Sequence, residues 1–123
     1  MILDVIGVEF RYDSRSVLRD VRFALAAGEL LAILGPNGVG KTTLLKCINA
    51  NLRPAAGSVL VDGRNVLRMD SMDIARRVGY VAQRTEAARL TVFDAVLLGR
   101  RPHLRWRISE QDLRLADAAI QRL

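Results

Sequence analysis

Five apolar residues, Leu30, Leu31, Ala32, Ile33 and Leu34, run directly into the glycine-rich stretch Gly35-Pro36-Asn37-Gly38-Val39-Gly40-Lys41-Thr42-Thr43. A run with no polar face suits a strand buried on both sides of a sheet. The segment 40–50 that follows reads as a helix. Strand, tight glycine loop and helix in that order predict an α/β fold built around this unit. With 50% hydrophobic and 26% charged residues, the 123-residue chain has the composition of a globular domain, not of a disordered or collagen-like one.

Around this unit, residues 2–12 and 17–25 are rich in Val, Ile, Leu and Phe, and the polar Asp13-Ser14-Arg15-Ser16 divides them. They read as an antiparallel pair. Ala27-Gly28-Glu29 forms a turn, and the loop 51–57, with Pro54 and Gly57, leads to a strand over 58–61 that ends in the Asp62-Gly63 turn signal. A short helix is predicted over 70–77, a strand over 78–81 and a polar loop over 83–90. Thr91 followed by Asp94 opens a helix that stops near Gly99 and Pro102, and Ser109 with Asp112 repeats the start signal. In the last helix Leu113, Ala116, Ile120 and Leu123 fall on one face, with no glycine or polar cap after them. The expectation is an incomplete domain, interrupted at Leu123.

Several function classes are excluded on composition. No apolar run approaches the ~20 residues that cross a bilayer. The N-terminus has no secretory pattern, and the single cysteine, Cys47, cannot form an internal disulfide, so a cytosolic location is expected. Cys47 reads as a small core residue of the helix over 40–50. The net charge is +6 and the pI about 10.7, yet the arginines are scattered except for Arg100, Arg101, Arg105 and Arg107. No nucleic-acid partner is expected; an acidic partner segment accounts more simply for the balance. His103, the sole histidine, has no cysteine or second histidine beside it and is not read as a metal ligand. Trp106, between Arg105 and Arg107, is read either as facing a partner or as a partly buried anchor.

The loop from Gly35 to Thr43 satisfies the G-x-x-x-x-G-K-[ST] pattern, between a predicted buried strand and a helix. Glycines let backbone N–H groups close on a polyanion without a Cβ in the way. The N–H groups of Gly38, Gly40, Lys41 and Thr42 are expected to point inward, joined by the positive end of the helix dipole. Lys41 would neutralise β and γ phosphates, and the Thr42 hydroxyl would ligate a bridging Mg²⁺.

The surroundings are more specific. Phe10-Arg11-Tyr12, Val17-Leu18-Arg19-Asp20-Val21, Gly28-Glu29 and Gly35-Pro36-Asn37-Gly38 resemble, in order and spacing, the start of ABC-type nucleotide-binding domains. Leu44-Leu45-Lys46, Pro54, Gly57-Ser58-Val59 and Asp62-Gly63 continue the likeness, and Val78-Gly79-Tyr80-Val81-Ala82-Gln83 resembles that family's Q-loop. The resemblance covers nearly the whole chain. It implies an α/β P-loop NTPase of ABC type, here the N-terminal portion of residues 1–123, with antiparallel strands plus the P-loop strand and helix. It implies ATP and Mg²⁺ as ligands, with Gly35, Asn37, Gly38, Gly40, Lys41, Thr42 and Thr43 on the phosphates and Tyr12 stacked on adenine. By the same resemblance Gln83 positions Mg²⁺ or the attacking water and links the site to a membrane subunit.

The LSGGQ signature, the apolar strand ending in Asp-Glu and the switch histidine are not found in the sequence. No catalytic base is therefore assigned in this chain, which is expected to bind ATP without hydrolysing it, while the full-length protein is an ATPase. The resemblance implies a peripheral protein on the cytoplasmic side of the membrane, partnered by permease subunits and a second copy of itself, and indirectly by a periplasmic or extracellular binding protein. The segment from Thr91 to His103 resembles importers of iron-siderophore, haem or cobalamin type. The alternatives are a soluble ABC-type ATPase acting on nucleic acid or the ribosome, and a non-catalytic fragment.

Overall fold

The computed structural model describes residues 2–83, 89–104 and 106–122. They form two compact units, Met1–Val78 and Gly79–Leu123. The first holds a four-stranded antiparallel sheet of β1 (Leu3–Tyr12), β2 (Arg15–Leu25), β3 (Ala56–Val61) and β4 (Arg64–Asn65), in the order β2-β1-β3-β4. It also holds α1 (Lys41–Ile48) and α2 (Ser71–Arg77), and the second unit holds α3 (Val92–Leu98) and α4 (Glu110–Ile120).

The antiparallel pair expected at the N-terminus is the β1–β2 hairpin. Its turn is tighter than the four polar residues suggest: Tyr12 pairs with Arg15 and Arg11 with Ser16, leaving Asp13 and Ser14 as a two-residue loop. Register shifts interrupt the β1 ladder between Val5 and Val8. The irregularity turns both valines, three residues apart, to the same buried face, where strict alternation would put them on opposite ones. Val59 and Val61 on β3 and Leu18 on β2 complete that face. Leu44, Cys47 and Ile48, spaced i, i+3, i+4 on one stripe of α1, belong to the same buried cluster. Each such side chain contributes about 1.5–3 kcal/mol relative to exposure. Cys47 is a core residue, as its sequence context suggested, and burial pushes its thiol pKa up.

Two expected strands are not formed. Residues 30–34, read as the central strand, have no ladder partner among the described residues; Leu30 is 96% and Leu34 88% exposed. Residues 78–81 are likewise outside any strand, and Val81 is 95% exposed. The apolar pattern marks segments fit for burial on two faces, but a strand exists only where another strand lies beside it. The sheet's four members pair only with one another. The α/β class therefore rests on the antiparallel sheet and its helices, without a P-loop strand.

Helix limits follow local chemistry. Asp70, Thr91 and Ser109 are the N-caps of α2, α3 and α4, each side chain accepting from the backbone N–H three residues on. Ser109 and Asp112 complete a reciprocal capping box. α1 is shorter than the expected 40–50 span because Ala50, at φ 57, leaves the helical region. On α4 the buried positions are Asp112 and Ala116, while Leu113 is exposed. The expected apolar face is thus closed only at Ala116. Leu123, its last member, lies outside the described residues, as do Arg105 and residues 84–88 of the expected polar loop. Among the described residues no helix is long and apolar enough to cross a membrane.

Candidate phosphate-binding site

The glycine loop and α1 meet at Gly40, the N-cap of the helix, which sits in the left-handed region at φ 112, ψ 5. A Cβ there would stand 2.9 Å from Val17 Cγ1 and 3.2 Å from Leu18 Cδ2. β2 therefore presses directly on the base of the loop, and only glycine meets both the conformational and the steric demand. At Gly38, also left-handed at φ 81, a Cβ would meet nothing within 4 Å, so the crest of the loop is open to a ligand.

Gly40 supplies no side-chain cap, and the first turn of α1 contains no acidic residue. The contrast with α2, α3 and α4 is direct: each has a side-chain cap and an acidic residue in its first turn. Capping carboxylates would satisfy or neutralise the N–H end that an anion needs. In α1 that end is left to whatever enters the loop.

Lys41 folds back across the loop, its Nζ donating to the carbonyls of Gly35 at 2.6 Å and Pro36 at 2.8 Å. An ammonium has three donors, so one more acceptor can be taken. Asn37, Gly38 and Thr42 are exposed around it, whereas Thr43 is 8% exposed and packs inward. This donor set fits a polyphosphate: an open crest, free helix N–H groups and a tethered cation. No group of three His, Cys, Asp or Glu residues that could cage a metal is found among those described, and the exposed Thr42 hydroxyl is an oxygen of the kind a hard cation takes.

Residues 18–123 match the ABC transporter family. The chain belongs to that family. It is 48% identical over 123 residues to an uncharacterized ABC transporter ATP-binding protein of Methanocaldococcus jannaschii, covering 100% of this chain and 48% of that protein. It is 33% identical over 121 residues to the hemin import ATP-binding protein HmuV of Methylobacillus flagellatus, covering 98% of this chain and 45% of the relative. Among solved structures, cbiO1 from Clostridium perfringens, described as part of the ABC transporter complex cbiONQ, matches with a TM-score of 0.74 at 29% identity, covering 98% of this chain and 49% of that one. The chain thus spans about half the length of these ABC relatives.

Of the residues that the ABC resemblance singles out, the structure brings Gly35 to Thr43 into one loop and helix turn. Tyr12 ends β1 on the hairpin that packs on Gly40. The residue is 47% exposed, and its ring meets that of Phe10 edge-on at 4.9 Å and 75°. Gln83 is exposed and belongs to the second unit. Sequence reasoning missed Val17 and Leu18 as the wall behind the loop, because an ordinary strand valine and leucine carry no chemical signal. It also missed the pairing of Arg100 with Asp112, whose Oδ1 accepts from Nε at 3.0 Å and lies 3.0 Å from Nη2 in the same ion pair. That contact joins the residues after α3 to the first turn of α4, too far along the chain for a local pattern.

Proposed function

We propose that this chain is the nucleotide-binding part of the ATPase subunit of an ABC importer, binding ATP with Mg²⁺ in the loop from Gly35 to Thr43. The observation that carries the reading is the uncapped N-terminus of α1 beneath an open glycine crest, with the Lys41 ammonium tethered over it. Gly38, Gly40 and Thr42 would offer backbone N–H groups to the β and γ phosphates, and Lys41 would exchange a carbonyl contact for a phosphate oxygen. Thr42 Oγ1 would hold Mg²⁺ with Gln83 as a second ligand, and Tyr12 would stack on the adenine. When bound, the metal neutralises charge that builds on the phosphates.

The sequence has no Asp-Glu after an apolar run, no Ser-Gly-Gly after Gln83 and no histidine beyond His103. The chain alone is proposed to bind without steady turnover, and the whole protein to hydrolyse ATP and couple it to import. Haem, cobalamin or an iron-siderophore is the proposed cargo, supported by the segment from Thr91 to His103 and by the hemin import relative. Permease subunits and a second copy of the chain are the proposed partners on the cytoplasmic face of the membrane, with an external binding protein acting indirectly. The permease contact is proposed for the segment from Gln83 to Arg101, which the resemblance links to the nucleotide through Gln83 and whose loop can express that state as movement.

Calorimetric titration with Mg-ATP tests the site. Lys41→Ala is expected to abolish detectable binding, because backbone dipoles alone then face the phosphates. Equal affinity of the two proteins would end the assignment.

A further inference from the structure

Within the second unit, the turn between the short 3-10 segment Arg101–His103 and α4 carries Trp106 into solvent, where it is 98% exposed. An indole extended into water gains nothing for the fold, because burying it would contribute more than burying any other side chain nearby. Its neighbours sharpen the contrast. Ile108 is half exposed and, with Leu90, Leu97, Leu98, Leu104 and Arg101, lines an apolar cavity of about 460 Å³. The exposed indole is two residues along the chain from Ile108 in the wall of that cavity.

The charge around this tip has one sign. From Arg89 to Ile108 the sequence contains five arginines and a single acidic residue, Asp94. Asp94 is committed locally, accepting from the Thr91 hydroxyl at 2.6 Å, and it is itself part of the cavity lining. Of the arginines, Arg100 is spent on Asp112, whereas Arg101 and Arg107 are exposed and form no ion pair among the described residues. Indole rings settle at the level of lipid headgroups, and arginines beside them are drawn to an anionic leaflet. A base-reading surface would need several large rings to stack on; of the Phe, Tyr and Trp residues described between 89 and 108, only Trp106 is exposed.

We propose that Trp106, Ile108, Arg101 and Arg107 form a lipid-contact site that docks this unit directly onto an anionic membrane surface, the indole entering the headgroup layer and the arginines meeting phosphate groups. The contact is additional to any made through membrane subunits and does not depend on nucleotide.

Trp106 is the sole tryptophan, so the protein carries its own probe. The chain is mixed, without nucleotide, with vesicles of pure phosphatidylcholine or of equal parts phosphatidylcholine and phosphatidylglycerol. The expected result is a blue shift of Trp106 emission and co-sedimentation on the anionic vesicles only, reversed by salt near 1 M, where the screening length falls to about 3 Å. Arg101→Ser and Arg107→Ser should each weaken partition about five-fold, equivalent to ~1 kcal/mol per basic residue at such a surface. Trp106→Ala should weaken sedimentation by roughly ten-fold or more and Trp106→Phe by less, with unchanged far-ultraviolet circular dichroism because the side chain packs on nothing. Unshifted emission on anionic vesicles at low salt would overturn the proposal, as would an equal response on neutral ones. So would emission already blue-shifted without lipid and varying with protein concentration, which would assign the tip to a second copy of the chain.

Discussion

Val17 occupies the space in which a side chain at position 40 would stand, its Cγ1 2.9 Å from where a Cβ on Gly40 would sit. The relationship ties the hairpin to the phosphate loop: β2 sets the floor on which α1 begins. Gly40→Ala is expected to destabilise the chain by at least about 1–2 kcal/mol, the cost of a left-handed alanine alone. Because the clash also lifts the loop, ATP affinity should fall further than stability. Urea denaturation and calorimetry on the same variant check both. A variant as stable as the parent would mean that Val17 yields and the floor is soft.

Tyr12 stands at the end of the same hairpin, half exposed. Tyr12→Ala should weaken ATP binding by roughly 1–3 kcal/mol, the usual range for one ring stacked on one base. Tyr12→Phe should leave affinity unchanged, since the ring and not the hydroxyl makes the contact. Identical affinities for all three proteins would reduce Tyr12 to a partner of Phe10.

Asp112 gives the second unit an acid-sensitive joint. Hydrogen bonds from the Ser109 hydroxyl and backbone N–H, with a smaller contribution from Arg100, hold its carboxyl below the ordinary value of 3.8. The folded form thus binds the proton more weakly than the unfolded form. Its stabilisation is complete above the ordinary carboxylate pKa and is lost as pH falls through the lower folded value. Asp112→Asn should therefore flatten the acid limb of stability below about pH 4 while lowering stability at neutral pH. Urea midpoints measured from pH 7 down to pH 2 for both proteins test this; parallel acid limbs would remove Asp112 from the account.

Cys47 is fully buried in the core and its thiol pKa is raised, so the reactive thiolate is scarce and out of reach. Alkylation by iodoacetamide at pH 8 should be far slower for the native chain than for the urea-unfolded chain. Equal rates would mean that α1 opens readily from the sheet.

What was legible in the sequence was local. The hairpin, the Asp62-Gly63 turn and the caps at Thr91 and Ser109 each depend on residues a few positions apart, and each is found in the structure. The glycine loop was legible for the same reason, since nine consecutive residues carry its chemistry. The expected strands over 30–34 and 78–81 failed because pairing is decided by segments far away in the chain. The folding back of Lys41 onto its own carbonyls was invisible, as it depends on loop curvature and not on residue type. The Arg100–Asp112 bond was half visible: its acid was read as a cap, but its base sits twelve residues earlier.

Residues 30–34 pair with no strand among the described residues. They contain no charge and no proline, two of the devices with which proteins keep open backbone from pairing, and Leu30 and Leu34 stand in solvent. For the chain as it stands, self-association main chain to main chain is therefore expected at this stretch. In concentrated solution the segment is expected to act as a template for further chains, so that the material lost to sediment should grow faster than concentration itself.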